Sequence, residues 1–553
     1  MRVVVDLTRC QGYAQCAFLA PDMFRMRGSE ALLYDPQPDD TQRDRVLGAA
    51  AACPVQAILV DQLGASENTA MAPLLTQTQP PRAPQPSRPA RSGPADAEAE
   101  AFRRTGHVVI VGASLAGLRA ASVLRREGFT GALTIIGDEP HRPYDRPPLS
   151  KQVLDGWIPP DHTALPRRDE LDARWLLGVP ATGLDLAGRQ VRLGDGSTVG
   201  YDRLLIATGT RARPWFNEAE AALDGVFVLR SLEDSVELQQ RLASRPRRVL
   251  VIGGGFTGSE VASVCRERDL PVTVVERAQA PLVGALGGVI GEIAADLQRA
   301  NGVDLRCGTT VTELEGDGDG RLRRAHLSDG TTVDADVAVV ALGAVRNTEW
   351  LAGSGLASGA WGVGCDAGCR AFDANGVTTD DVFVAGDVAR FPHPLYDYEF
   401  LALEHWGNAV TQAEIAAHNM ISSPTGRWPH LATPVFWSTQ FGTNIKTVGV
   451  PTFADQIVVA QGSVADGRFV AVYGHAGRIT AAVGFNQAKW LDFYRSLIEG
   501  AAPFPPEFRA VDQPADRQPV PAQMPDRKTR DLQATVVVTG HDPSERRADL
   551  IHH

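Results

Sequence analysis

Residues His107–Gly117, HVVIVGASLAG, run from an apolar stretch directly into a glycine-rich break. Val108–Val111 predicts a buried parallel strand that ends at Gly112, with a helix beginning near Leu115. That shape supplies a tight turn, a close backbone approach and a helix N-terminus whose free N–H groups hold anionic oxygens. A dinucleotide pyrophosphate requires all three. The general pattern is G-x-G-x-x-G, and here Ser114 stands in the middle glycine position while Gly112, Ala116 and Gly117 complete it.

The design recurs with every glycine in place at Val249–Gly258, VLVIGGGFTG: Gly253, Gly255 and Gly258. Pro271–Glu276, PVTVVE, then predicts a second strand closing on Glu276, a carboxylate that can accept from a ribose 2′-hydroxyl and repels a 2′-phosphate. Two such motifs imply two nucleotides face to face, one a flavin and one a nicotinamide. The expected class is multidomain α/β, with two Rossmann-like units, a small α+β domain before them and an α+β domain after them.

At 553 residues and a net charge of −12, with no long basic run, the chain is long enough for several cores and is not expected to bind nucleic acid. No apolar stretch reaches bilayer-spanning length, and MRVVVDLTRC lacks the succession of a signal peptide. The reading is a cytoplasmic protein with no membrane partner. Seven cysteines are too few for a disulfide framework in a chain of this length.

Three of the seven are Cys10, Cys16 and Cys53, the last opening CPVQAI. Iron–sulfur loops hold thiolates on close backbone turns and bring back a distant Cys-Pro. Here Tyr13 stands at the middle position of a C-x2-C-x2-C run. Three thiolates suit a 3Fe–4S cluster; a 4Fe–4S cluster would need Tyr13, water or another donor at its fourth iron. Residues 1–62 resemble the small bacterial single-cluster ferredoxins, through Val5-Asp6, Cys10, Gly12, Cys16, the run Ala20–Phe24 and CPVQAI. Residues 63–105, rich in Pro, Ala, Ser and Gln, read as a linker spanning roughly 35 Å as a flexible chain.

From Gly106 strand and helix patterns alternate. Leu133–Glu139 predicts the partner strand, with Asp138 or Glu139 able to take an adenosine ribose. Tyr144–Lys151, YDRPPLSK, is a proline-stiffened loop offering Arg146 and Lys151. Residues 106–510 resemble the FAD-dependent, NADH-linked ferredoxin reductases of oxygenase systems, the putidaredoxin-reductase and biphenyl-dioxygenase-reductase group. The stretches that carry this are VGASLAG, GDEPHRPYDRPPLSK, YDRLLIATGTRARP, VIGGGFTGSEVA, VALGAVRNTE, VFVAGDVARF, EHWGNAVTQA and PVFWSTQFG.

The resemblance implies roles. Gly112, Ser114, Ala116 and Gly117 line the FAD pyrophosphate and Asp138 or Glu139 the adenosine end, with Ala181 by the adenine. Arg146, Thr208, Arg230, Gly386 and Asp387 contact FAD, and the helix after Asp387 points its N-terminus at the flavin. Lys151 lies near flavin N5; Glu404, His405 and Trp406 border the ring. Gly253, Gly255 and Gly258 hold the NADH pyrophosphate, Glu276 its ribose, Glu260 the carboxamide, and Gly343 passes the nicotinamide. Lys151, Glu260 and Trp406 are the expected catalytic residues.

The implied division is 106–230 and 346–424 for FAD, 231–345 for NAD, 425–510 for a C-terminal interface domain, and 511–553 as a tail expected to be partly disordered. Disulfide reductases of similar architecture carry a C-x4-C pair beside the flavin; Arg146–Lys151 contains no cysteine, and Cys265, Cys307, Cys365 and Cys369 do not fill that place. The expected function is hydride transfer from NADH to FAD, then single electrons to the cluster and on to an oxygenase such as a haem-thiolate monooxygenase. The rivals are a reductase for a separate ferredoxin with the fused domain regulatory, a disulfide or peroxide reductase, and a non-catalytic redox sensor.

Overall fold

The computed structural model describes residues 1–28, 30–61, 94–166, 171–506, 534–539 and 547–552. The N-terminal unit is two antiparallel strand pairs and two short helices. Val3–Val5 pairs with Ile58–Val60, and Phe24–Arg27 with Ala31–Tyr34. Helices Gln15–Leu19 and Arg43–Ala52 pack over them around Val46, Ala49 and Phe24. The outer face of the first pair is not exposed: Val4 and Leu59 join the core of the following domain.

Residues 63–93 of the expected linker lie outside the described residues, and the linker reading does not hold for the rest. Pro94–Thr105 is a helix. Its physical reasons are a proline in the first turn, a run of strong helix formers, Asp96 near its start and Arg103 and Arg104 near its end. Tertiary contacts complete it: Phe102 packs on Phe129, the Arg203 guanidinium lies 3.9 Å from the Phe102 ring, and Arg103 donates to the Ile421 carbonyl at 3.0 Å.

The strand expected at Val108–Val111 is His107–Val111, central in a six-stranded sheet. Five strands are parallel, in the order Thr378–Val384, Arg203–Ile206, His107–Val111, Ala132–Gly137, Arg174–Leu177; Arg370–Phe372 joins the edge antiparallel. A second, all-parallel sheet places Val249–Ile252 between Val337–Val340 and Val272–Glu276. In both, the central strands are almost wholly apolar and buried on both faces, as parallel sheets demand. The helix after Asp387 runs Trp406–Ile421, with strand Ala389–Pro392 between the two.

The C-terminal domain is a five-stranded antiparallel sheet, Val435–Gln440, Thr443–Gly449, Arg478–Phe485, Arg468–His475, Gln456–Ser463, backed by helix Leu491–Glu499. In the tail, expected to be partly disordered, Ala534–Thr539 and Arg547–His552 pair antiparallel; ATVVVT is rich in β-branched residues and so suits a strand. Cys265, Cys365 and Cys369 are buried as free thiols in the cores. No helix among the described residues is long and apolar enough to cross a membrane.

His430 shows how tightly the second flavin-side segment is packed. It is 2% exposed, bonded to Asn408 Oδ1 at 3.1 Å and edge-on to Phe391. Burial, with the His393 ring acting in the same direction, pushes its imidazole down to about 3. The unfolded chain protonates that ring near pH 6.5 and the folded chain resists, so stability is full above about pH 6.5 and falls as pH drops below it. His430→Asn is expected to flatten the acid-side decline in unfolding free energy by up to about 1.4 kcal/mol per pH unit between about pH 6 and pH 4.5. Denaturant titrations across that range check it.

Candidate functional site

Two contiguous cavities of about 500 and 550 Å³ run between the sheets. They share Ser114, Arg146, Thr208 and Arg230 as walls. The second cavity follows the first glycine turn, bounded by Gly112, Asp138, Glu139 and Ala181. The first reaches the meeting point of all three large domains, bounded by Ala116, Lys151, Glu260, Gly343, Gly386, Asp387, Glu404, His405 and Trp406. Such a volume, elongated and lined by apolar walls with a few convergent polar groups, is that of a cofactor site.

The turns explain the glycines. Gly112 has φ 124°, and a Cβ there would lie 2.1 Å from the Ala207 carbonyl oxygen. Gly255, at the head of helix Phe256–Glu267, has nothing within 4 Å of where its Cβ would be and lines the first cavity. Backbone N–H groups there are open to an anion. Gly117, Gly253, Gly258 and Glu276 line neither cavity; the glycines let helix and strand approach within the motif. Glu276 ends its strand with one carboxylate oxygen on the Gly254 N–H at 2.6 Å and the other on the Ala278 N–H at 2.7 Å. The carboxylate thus sits on the second glycine turn.

Within the first cavity Lys151 and Glu260 form a buried ion pair, Nζ to Oε2 2.6 Å. Ser150 donates to the same oxygen at 2.5 Å, and Ser438 donates to Oε1 at 2.7 Å. Arg230 holds Asp387 at 2.7 Å and reaches the Thr210 carbonyl at 3.2 Å. Gly386 N–H is held by Gln412 Oε1 at 2.9 Å. Glu139 is already engaged by Arg146 at 2.5 Å and by the Tyr144 hydroxyl, so of the two acids Asp138 is the exposed one at the cavity wall. Arg346 pairs with Glu404 at 3.1 Å.

His405 is the N-cap of helix Trp406–Ile421, its ring against Phe436 at 4.6 Å. Burial pushes its imidazole down to about 4, so it is neutral at pH 7. Its Nδ1 is shut from solvent and has no partner among the described residues. An orphaned ring nitrogen on a cavity wall, beside a helix N-terminus and a lysine, fits the polar edge of a flavin.

Trp406 turns its indole N–H onto Asp145 Oδ1 at 2.9 Å and stands edge-on to Trp437, ring centroids 6.3 Å apart. Asp145 is buried, which raises its carboxyl to about 6, and its other oxygen accepts from Tyr34 of the N-terminal unit at 3.4 Å. That unit is seated beside the cavity. Lys446, paired across the sheet with Trp437, donates to the Cys10 carbonyl at 2.9 Å. Arg27 pairs with Asp155 at 2.9 Å and with Glu267, His162 with Asp35 at 2.8 Å, and Glu30 accepts from the Ala488 N–H at 2.9 Å.

Cys10, Cys16 and Cys53 line one hollow, with Tyr13 at its exposed rim, its hydroxyl on Gln11 Oε1 at 2.9 Å. Ala57 N–H donates to Cys53 Sγ at 3.3 Å, and the backbone at Gly12 and Ala17 does the same for Cys10 and Cys16. Burial, then the neighbouring Cys10, pushes the Cys16 thiol up to about 11. No three of the described His, Cys, Asp or Glu side chains converge on a single ion. Three N–H-bonded sulfurs spaced around a hollow fit a multi-iron cluster better than one ion.

Asp145, Ser150, Gln412, Ser438, Trp437 and Lys446 were not singled out by sequence reasoning. Asp145, Ser150, Gln412, Ser438 and Trp437 lie inside quoted motif stretches, but only the fold turns them inward; nothing local marks Lys446.

The comparisons agree with this geometry. Residues 106–413 match the model for the pyridine nucleotide-disulphide oxidoreductase family, 435–516 that for the reductase C-terminal domain, and 5–60 that for the 4Fe-4S single cluster domain of ferredoxin I. The ferredoxin–NAD(+) reductase component of the biphenyl dioxygenase system of Paraburkholderia xenovorans is 36% identical over 71% of this chain and 92% of its own length. Putidaredoxin reductase of Pseudomonas putida is 34% identical over 71% and 93%. The structure of the covalent putidaredoxin reductase–putidaredoxin complex superposes with a TM-score of 0.67 at 30% identity, covering 72% of this chain and 94% of that one. With an iron–sulfur ferredoxin domain at one end and no cysteine pair beside the flavin site, the chain belongs to the pyridine nucleotide-disulphide oxidoreductase family as an FAD-dependent ferredoxin–NAD(+) reductase.

Proposed function

We propose that the fused ferredoxin is this reductase's own electron acceptor, served within one chain, and that it passes electrons to an oxygenase of the haem-thiolate or a related class in the cytoplasm. The observation that carries this is the seat of the ferredoxin. Cys10's carbonyl is bonded to Lys446, Lys446 pairs with Trp437, and Trp437 meets Trp406 on the flavin cavity wall. FAD, when bound, supplies the conversion of a two-electron hydride into single electrons.

The chain's residues do the rest. Gly112, Ser114, Ala116, Thr208, Arg230, Gly386 and Asp387 would hold the flavin along the two cavities, and Gly253, Gly255 and Gly258 the NADH pyrophosphate. Lys151 and Glu260 would fix the place where the nicotinamide stacks, Glu260 orienting the carboxamide while the lysine ammonium offers a donor at the ring edge. Phe436, Trp437 and Trp406 wall that point off from water, so near-attack stacking is what the site contributes to hydride transfer. His405, neutral, is available to accept or donate a hydrogen bond at Nδ1. Three thiolates support a 3Fe–4S cluster, Tyr13 standing where a fourth ligand would enter.

Stopped-flow reduction by NADH tests the central claim. Bleaching of the cluster should be first order and independent of protein concentration; a rate proportional to concentration overturns transfer in cis. Gly28→Ala should slow that bleaching at least tenfold and leave NADH–ferricyanide turnover intact, since a Cβ on Gly28 would lie 1.8 Å from the Gly442 carbonyl oxygen and wedge the ferredoxin off. For the coenzyme, NADH should be favoured over NADPH, and Glu276→Gln should narrow the kcat/KM ratio about tenfold; equal ratios in the wild type would contradict the role given to Glu276. For the cluster, anaerobic reconstitution of Tyr13→Cys should replace a three-iron paramagnetic resonance signal by a four-iron one, and an unchanged three-iron signal would remove Tyr13 from the open corner.

A further inference from the structure

We propose that Lys446 tunes the iron–sulfur centre from outside the ferredoxin domain: delivered by the C-terminal domain, its ammonium raises the centre's reduction potential only while the ferredoxin is docked. This rests on the reading that Cys10, Cys16 and Cys53 hold the cluster.

Lys446 lies in the middle of strand Thr443–Gly449 and is 3% exposed. Lysines are almost never buried without a partner. Its cross-strand neighbours are Trp437 on one side and Gly484 on the other. Nζ donates at 2.9 Å to the carbonyl of Cys10, directly on the loop that presents the first thiolate. Burial pushes its ammonium down to about 8, against the attraction of Cys10, Asp6 and Asp492, while Arg495 repels it; at pH 7 it still carries its charge. The site is closed to solvent by the dock: Thr8 lies against Gly407, and Glu30, 7% exposed, caps the other edge through Ala488.

Reduction of the centre adds one electron, supplied by NADH through the flavin, and makes or breaks no bond. Its consequence is one further negative charge on the cluster and its thiolates. A cation held in a water-poor contact interacts with that charge far more strongly than a solvated one. Net charge, hydrogen bonding and exposure are the levers that set cluster potentials; docking brings in the ammonium's positive charge, which favours the reduced form and outweighs the opposing loss of solvent. Linkage makes the effect reciprocal: whatever factor docking adds to the reduction equilibrium, reduction adds to the docking equilibrium. Lys446 therefore favours uptake of the electron in the seated position and holds the reduced ferredoxin there more firmly than the oxidised one, so release to the oxygenase requires a competitor for the same face.

The test is a mediated redox titration of the full-length, anaerobically reconstituted protein, with cluster and flavin followed separately by paramagnetic resonance and visible absorption. Mediators replace NADH, so a failure of transfer in cis leaves this measurement readable, and a chain that assembles no cluster on the three cysteines sinks the underlying reading instead. Lys446→Met is expected to shift the cluster's reduction equilibrium at least tenfold towards the oxidised form, which for one electron is about 59 mV. Lys446→Arg should retain most of the wild-type value, and the flavin potential should not move. Gly28→Ala, which unseats the ferredoxin, should reproduce the shift alone, and adding Lys446→Met to it should change nothing further. An unchanged potential in Lys446→Met, or an equal drop from that substitution in the docked and unseated backgrounds, overturns the proposal. Should Lys446→Met not fold, an unchanged potential in Gly28→Ala overturns it by itself.

Discussion

The carboxylate of Glu260 is where the reductase is tied together. It leaves the nicotinamide-side helix, takes Lys151 and Ser150 from the flavin-side loop on one oxygen, and Ser438 from the C-terminal sheet on the other. Burying a carboxylate and an ammonium costs several kcal/mol per ion, and only close geometry with every lone pair met offsets it. Here the geometry is close and the partners come from three domains. That explains why the arrangement of the domains and the arrangement of the site are one problem: a domain shift that breaks any of these bonds leaves a buried charge uncompensated. The same pair stands at the cavity floor where nicotinamide and flavin would stack, so the interaction that fixes the domains also fixes the reacting geometry.

Beyond this node a second buried carboxylate carries the order outwards. Asp145 binds the Trp406 indole on one side and the Tyr34 hydroxyl on the other. Trp406 belongs to the flavin cavity and Tyr34 to the ferredoxin. Burial raises the Asp145 carboxyl to about 6, against the two hydrogen bonds and the Lys151 ammonium, which all lower it. Removing either donor would raise it further. One side chain thus joins the ferredoxin to the aromatic wall of the cavity.

What the sequence made legible follows from range. Gly112, Gly253 and Gly255 announce themselves because a tight turn and an open N-terminus are decided within a few residues. Cys10, Cys16 and Cys53 announce themselves because thiolate spacing is a local pattern with one distant return. Lys446 does not: in TNIKTVG it reads as the solvent-side residue of an alternating strand, and only a second domain laid over that face buries it. Ser438 and Gln412 act on partners 178 and 26 residues away, and no periodicity encodes such pairs. Glu139 was legible as an acid at a strand end, but its capture by Arg146 needed the fold of the following loop. Composition hides the helix Pro94–Thr105, since its alanines continue those of the segment before it; Phe102, half-buried against Phe129 and Arg203, is the residue that marks it as ordered.

The ferredoxin seat is built to be left. Its rim is ion pairs and polar contacts: Arg27 with Asp155 and Glu267, His162 with Asp35, Gln11 with Asp492. Partly exposed pairs of this kind contribute about 0–1 kcal/mol each and weaken with salt. At its centre are a carbonyl on a lysine, a backbone N–H on Glu30 and the Tyr34 hydroxyl on Asp145, beside a small apolar contact where Val4 and Leu59 pack into the flavin-side core. Attachment through one chain changes the arithmetic, because a tether holds the partner at an effective concentration in the millimolar range. Against that concentration, a contact worth only about 4 kcal/mol is already half occupied. The fusion therefore lets a seat of modest affinity stay occupied for much of the time, and a charge that strengthens it on reduction would have a small, adjustable equilibrium on which to act.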